Sequence, residues 1–111
     1  MMAVREYVDQ DGRSPFREWL RRLDVPIRAR IQARILRFET GNLGDHKMLG
    51  DSMWEGRLAF GPGYRVYFGK SGHELVLLLL GGDKRTQAKD IARAKIYWTY
   101  YLKENKHGKT K

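Results

Sequence analysis

The chain of 111 residues contains no cysteine. Disulfides, thiolate zinc sites and cysteine nucleophiles are therefore excluded, and the usage fits a reducing compartment. There is no long hydrophobic run. The longest, residues 75–80, falls far short of the roughly 20 residues of a spanning helix. The opening residues MMAVREYVDQD carry charges where a secretory signal would be apolar, so a soluble cytoplasmic protein away from membranes is expected. The three histidines, His46, His73 and His107, are scattered and show no metal-ligand spacing. No Walker-type phosphate loop exists, because Gly61-Pro62-Gly63 reads as a turn. Ser14, Ser52 and Ser71 have no histidine at a spacing that suggests a nucleophile and its base.

Negative charge is in short supply. Against 22 Lys and Arg stand 13 Asp and Glu, a net charge of +9. Segments 1–40, 41–102 and 103–111 each carry +3, so a third of the excess lies in the last nine residues. With no apolar residue after Leu102, those nine read as a basic flexible tail on a single domain of residues 1–102. Hydrophobic residues make up 41%, enough for a core. So large an excess of base on so small a domain points to an anionic partner, nucleic acid or an acidic protein.

Residues 4–8 alternate as a short strand, stopped by Asp11-Gly12. Ser14-Pro15 is a helix start, and Phe16, Trp19, Leu20 and Leu23 form one apolar stripe. Asp24 reads as a second N-cap, with Ile27, Ile31, Ile35 and Phe38 on one face and Gly41-Asn42 as the stop. Arg28, Arg30, Arg34 and Arg37 fall mostly off that face. From Trp54 the period becomes two. Two alternating strands flank Gly61-Pro62-Gly63, and the Leu/Val run that follows suits a strand buried on both faces. Asp83 or Thr86 then caps a last helix with Ile91, Ala94, Trp98 and Leu102 in line. The fold class is α+β, in the order β-α-α-β-β-β-α. It has a mainly antiparallel sheet, with the helical hairpin and the C-terminal helix packed on it.

A tight turn at Gly61-Pro62-Gly63 sets Phe60 opposite Tyr64, Leu58 opposite Val66 and Arg57 opposite Tyr67. Leu58, Phe60, Tyr64, Val66 and Phe68 then share one face. Arg57, Arg65 and Tyr67 share the other, with Glu55 at its far end and no helix to cover it. Arg65 is accordingly expected outside the core. Two planar guanidinium forks suit phosphate, and a phenol offers a surface on which a base can stack. His46 and Lys47 precede this hairpin, and Lys84 and Arg85 follow the last strand.

The strings WEGRLAFGPGYRVYF and ELVLLLLGGDKRTQAKDIARAKIYW resemble the addiction-module killer proteins, a branch of the RelE/HigB toxins of type II toxin–antitoxin systems. The resemblance spans residues 2–102. It rests most on Gly56-Arg57-Leu58, Gly63-Tyr64-Arg65-Val66, and Gly81-Gly82-Asp83-Lys84 with Gln87, Asp90 and Ile91. It implies a RelE-like fold and a cofactor-free, metal-independent endoribonuclease (an mRNA interferase) that cuts messenger RNA on the ribosome and so inhibits translation. The implied partners are the ribosome, mRNA, a HigA-like helix-turn-helix antitoxin, and operator DNA in the toxin–antitoxin complex. By position, Arg65 matches the strand arginine that contacts the scissile phosphate. Arg57 matches a basic position one strand earlier, Lys47 lies in the basic loop before it, and Lys84 or Arg85 matches the basic residue after the last strand. Tyr67, His46 and Arg85 are the further candidates for RNA contact. The family's Tyr or His after that strand is missing, since residues 83–87 read DKRTQ. Glu55, Lys47 and His46 stand as alternative general bases. Two other functions compete: a ParE-like toxin acting on DNA gyrase, and a non-catalytic phage-derived regulatory protein.

Overall fold

The computed structural model describes residues 2–72 and 74–109, which leaves the scattered-histidine reading of His73 outside the described residues. The elements are β1 (Ala3–Glu6), α1 (Pro15–Arg21), α2 (Val25–Phe38), β2 (His46–Gly50), β3 (Met53–Leu58), β4 (Tyr64–Ser71), β5 (Leu75–Asp83), a 3-10 turn (Lys84–Thr86) and α3 (Gln87–Lys109). They form a small α+β domain around one five-stranded sheet of order β1-β5-β4-β3-β2. The sheet is mixed rather than antiparallel throughout, because β1 returns to the sheet parallel to β5, with Val4 opposite Val76.

Helices α1 and α2 pack on one face over Phe16, Leu20, Ile31, Phe38, Val66, Phe68 and Leu78. Helix α3 packs on the other over Tyr67, Leu77, Leu79, Ala94 and Trp98. The helix starts follow the sequence signals. Ser14 Oγ accepts from Arg17 N at 3.1 Å, and Pro15 takes the first helical position. Asp24 stands at the N-cap of α2 but makes no side-chain capping bond. The Ile27, Ile31, Ile35, Phe38 stripe faces the core as expected. Leu102 does not: it is exposed, and α3 continues past it to Lys109, through most of the segment read as a tail. Thr110 and Lys111 lie outside the described residues.

Three further features depart from what the sequence implies. First, residues 46–50 form an extra strand, β2, on the sheet edge. Its residues are mostly exposed, so it lacks an apolar alternation. Its two-residue turn to β3 uses Asp51 and Ser52, both left-handed at φ 52° and 61°, where Asn-Gly would have advertised a hairpin. Second, the β3–β4 loop spans residues 59–63, not three residues. Leu58 faces Tyr64, Arg57 faces Arg65 and Glu55 faces Tyr67. A slip of two residues leaves every side chain on its expected face but changes its partner. Third, Arg34 is buried. Its Nε and Nη2 donate to Leu43 O (3.1 and 2.9 Å), Nη2 also to Asp45 O (2.5 Å), and Nη1 to Arg57 O (2.6 Å). A buried arginine is tolerated because carbonyl oxygens occupy its donors. It thereby ties α2 to the end of β3, and Gly44 (φ +65°) leaves room for its guanidinium.

Two tryptophans fix the helices to the sheet, each lying over a glycine. Trp19 of α1 covers Gly81 on one face, and Trp98 of α3 covers Gly69 on the other. The Trp98 indole also donates to Asp51 O at 2.7 Å. A methyl group at either glycine would overlap the indole. Gly81→Ala and Gly69→Ala should each destabilise the domain by about 1–3 kcal/mol through overpacking. Gly56→Ala, whose added carbon would meet Val66 O at an ordinary 3.4 Å, should cost clearly less. Urea denaturation of the three variants checks this, and equal losses at all three positions would contradict it.

Candidate functional site

On the α3 face, the hairpin places Glu55 and Arg57 of β3 opposite Tyr67 and Arg65 of β4. Lys47 of β2 stands opposite Glu55 from the edge side, and directly opposed residues point to one face. Glu55 is the centre. Its side chain is 0% exposed, yet it is a carboxylate in a sheet interior. Its Oε2 accepts from Arg57 Nε at 3.2 Å, and its Oε1 accepts from Gln87 Nε2 at 2.6 Å. Arg65 Nε lies 3.9 Å from Oε1, an ion-pair distance too long for a hydrogen bond. Arg65 Nη1 donates to Tyr64 O at 3.0 Å.

Lys84, just beyond β5, joins the cluster through the hairpin loop. Its backbone N donates to Gly63 O at 3.0 Å. A Cβ on Gly63 would meet the Lys84 stem at 3.1 Å and Arg65 Nη1 at 3.5 Å, so the glycine lets the two cations approach the same corner. Arg57 and Arg65 thus pair with one buried carboxylate, Lys84 stands beside Arg65, and Lys47 shares the face from the edge strand. Such a group is acceptor-rich below and cation-rich above, which suits an anion arriving from outside.

Several expected residues stand elsewhere. Arg65 does not lie outside the core as alternation implies; its side chain is only 9% exposed, because α3 covers this face. Tyr67, read as a stacking surface for RNA, is fully buried beneath α3 and offers none. Its hydroxyl is buried and without a partner. Burial first, then the nearby charges of Glu55 and Asp90, push its phenol pKa well up. His46 lies on the opposite sheet face. It pairs across to Gly56, packs edge-on to Trp54 at 5.3 Å, and its Nδ1 lies 2.6 Å from Gly44 O. Arg85 is exposed and turns back to Asp83, with Nη2 to Oδ2 at 2.9 Å. Of the three base candidates, Glu55 is enclosed with both oxygens engaged and His46 is on the wrong face. Lys47 alone is both exposed and on the site face.

Two residues were missed. Gln87 belonged to a familiar string, but nothing in one sequence says that its amide reaches a carboxylate 32 positions earlier. Arg34 sits one turn after Arg30 and looked like a solvated helix arginine. Among the described residues, no group of three or more His, Cys, Asp and Glu side chains converges in a way that could hold a metal. No helix is long and apolar enough to cross a membrane, also among those residues.

The arrangement defines a class: a small α+β domain with a cationic cluster built on the central hairpin of a mixed sheet. The chain is 48% identical over 82 residues to a protein of Haemophilus influenzae described as an uncharacterized protein, across 73% of this chain and 83% of that one. It belongs to the same family as that protein. No protein-family model matches the chain.

Removing Arg65 should leave the buried Glu55 short of a counter-charge. Arg65→Ala is therefore expected to cost about 2–4 kcal/mol of stability, where a surface position would cost almost nothing. Arg85→Ala should leave the melting midpoint unchanged. Thermal denaturation of both variants tests the placement, and an Arg65→Ala protein as stable as wild type would contradict it.

Tyr67 gives a pH test. The unfolded phenol ionises near pH 10, while the folded one stays protonated to higher pH. Above about pH 10 the folded state therefore holds more protons than the unfolded state, and stability falls as pH rises. Tyr67→Phe should remove that part of the fall. At neutral pH it should match or exceed wild type by up to about 1 kcal/mol, since it deletes an unpartnered buried hydroxyl. Chemical denaturation at neutral and alkaline pH measures both effects. A Phe variant less stable at neutral pH and equally alkali-sensitive would show that the hydroxyl is bonded.

Proposed function

We propose that this chain is a RelE/HigB-like toxin of a type II toxin–antitoxin system, with a RelE-like fold, and that it cleaves messenger RNA on the ribosome. The observation that carries the reading is the meeting of Arg57, Arg65 and Lys84 on the side of the hairpin above Glu55. In the proposed reaction a ribose 2′-oxygen attacks the adjacent phosphorus. The P–O2′ bond forms, the P–O5′ bond breaks, the 2′-hydroxyl gives up its proton and the departing 5′-oxygen takes one. The products are a 2′,3′-cyclic phosphate and a 5′-hydroxyl. Negative charge grows on the phosphoryl oxygens, and preplaced guanidinium donors stabilise it without reorganising.

Arg57 is the residue best placed to meet the substrate, because its side chain is 35% exposed while Arg65 is nearly enclosed. Lys47 supplies charge at the edge strand and is the first base candidate to substitute. The net charge of +9 supports a ribosome as partner, and an acidic segment of a HigA-like antitoxin as the inhibitor.

Mapping of RNA 5′ ends after addition of the protein to programmed ribosomes tests the reading. New 5′-hydroxyl ends are expected with wild type. Arg57→Ala should reduce them by about a hundredfold, and Arg57→Lys should recover only part, since an ammonium keeps the charge but loses the planar fork. Growth arrest without new RNA ends would overturn the nuclease and favour a gyrase-directed toxin. Equal cleavage by Arg57→Ala would remove the cluster from the chemistry.

A further inference from the structure

Glu55 is sealed from any substrate and Gln87 is half-buried, yet between them they hold Arg57, whose outer nitrogens are open. We infer that this pair is a positioning device: Gln87 fixes Glu55, which holds Arg57 through Nε and sets a counter-charge beside Arg65, and so aims the outer nitrogens of Arg57 at a phosphodiester. The inference rests on the RNA-cleaving reading for the identity of that phosphodiester.

The geometry is specific. Arg57 reaches Glu55 through Nε at 3.2 Å, and Arg65 also turns its Nε toward the same carboxylate, at 3.9 Å. Among the described residues neither Nη of Arg57 has a partner, and Arg65 has only Nη1 bonded, to Tyr64 O. The two guanidiniums are directly opposed across β3 and β4. Like charges so placed repel unless a counter-charge lies between them. Glu55 supplies one negative charge for two positive ones. The excess positive charge faces the outer side, where an anion would balance it.

Gln87 completes the device. It is the first residue of α3, directly after the 3-10 turn that carries Lys84. Its amide donates to Glu55 Oε1 at 2.6 Å, which fixes that oxygen and leaves Oε2 for Arg57. Glu55 is wholly enclosed, so no substrate hydroxyl reaches its oxygens. Its function is exerted through the arginines.

Gln87→Ala removes the amide donor and changes no charge, at a half-buried position at a helix start. In the full-length protein it should leave affinity for an uncleavable 2′-O-methyl RNA within about twofold. It should slow ribosome-dependent cleavage by about ten- to a hundredfold, as expected when a reacting geometry loosens. The arginine Nε–Hε NMR signals report the grip directly. In wild type Arg57 should give a sharp, slowly exchanging signal, and in Gln87→Ala that signal should broaden or shift. Gln87→Lys, which keeps a donor, should restore part of the rate. Glu55→Gln removes the negative charge as well. If field strength alone mattered it would bind RNA more tightly and cleave at least as fast, whereas a positioning role makes it bind as tightly or more so and cleave more slowly.

An unchanged Arg57 signal in Gln87→Ala, or a wild-type rate despite a changed signal, would overturn the positioning role. A changed signal in a protein whose wild type cuts no RNA would instead sink the RNA reading and leave the grip on the arginines standing.

Discussion

A carboxylate sealed inside a sheet constrains everything around it. Moving an ionised group from water into a protein interior costs several kcal/mol, and only close counter-charges and donors offset that. Glu55 is in this position, and its neighbours are placed accordingly: Arg57 on its own strand, Arg65 toward it from β4, Gln87 from α3 and Lys47 across from β2. The cationic cluster is therefore more than a basic patch. It is the shell that a buried charge requires, with its outer side left open.

The rest of the fold keeps that shell in place. β3 and β4 lie inside the sheet, flanked by β2 and β5, so the residues of the site ride on paired backbone. Arg34 holds Arg57 O from below, which couples α2 to the end of the strand that carries Glu55 and Arg57. Trp19 and Trp98 lie flush on Gly81 and Gly69 and set the two helical layers. Trp98 fixes α3, and α3 delivers Gln87. Asp90 reinforces the start of that helix: it is buried against Gly82 and accepts from Thr86 Oγ1 at 2.5 Å. These packing contacts therefore bear on the site although none belongs to it.

Much of this was legible in the sequence. The helix starts at Ser14-Pro15 and Asp24, the isoleucine stripe of α2 and the doubly buried β5 all follow from caps and periodicity, which are local signals. The face shared by Glu55, Arg57, Arg65 and Tyr67 was legible too, because alternation alone determines it. The partners were not. A five-residue loop where three residues were expected moved Arg57 from Tyr67 to Arg65 without disturbing the alternation. β2 went unseen because an exposed edge strand needs no apolar pattern and its turn lacks glycine at the second position. Parallel pairing of β1 is a long-range event that leaves no local trace. Burial of Arg65 and Tyr67 depended on where α3 would land. Arg34 kept the outward appearance of a surface residue because carbonyl oxygens, which no side-chain pattern reveals, pair with it.

In the proposed reading an RNA phosphate completes the charge balance which Glu55 leaves open between Arg57 and Arg65. A crystal structure of the protein with an uncleavable 2′-O-methyl RNA tests it most directly. A phosphate is expected on the outer side of the hairpin, with its oxygens about 2.7–2.9 Å from the free Nη groups of Arg57 and near Lys84. Glu55 should remain bound to Gln87 and Arg57 beneath it. RNA seated on the opposite face, against His46 and Trp54, with the arginine cluster unchanged, would contradict it.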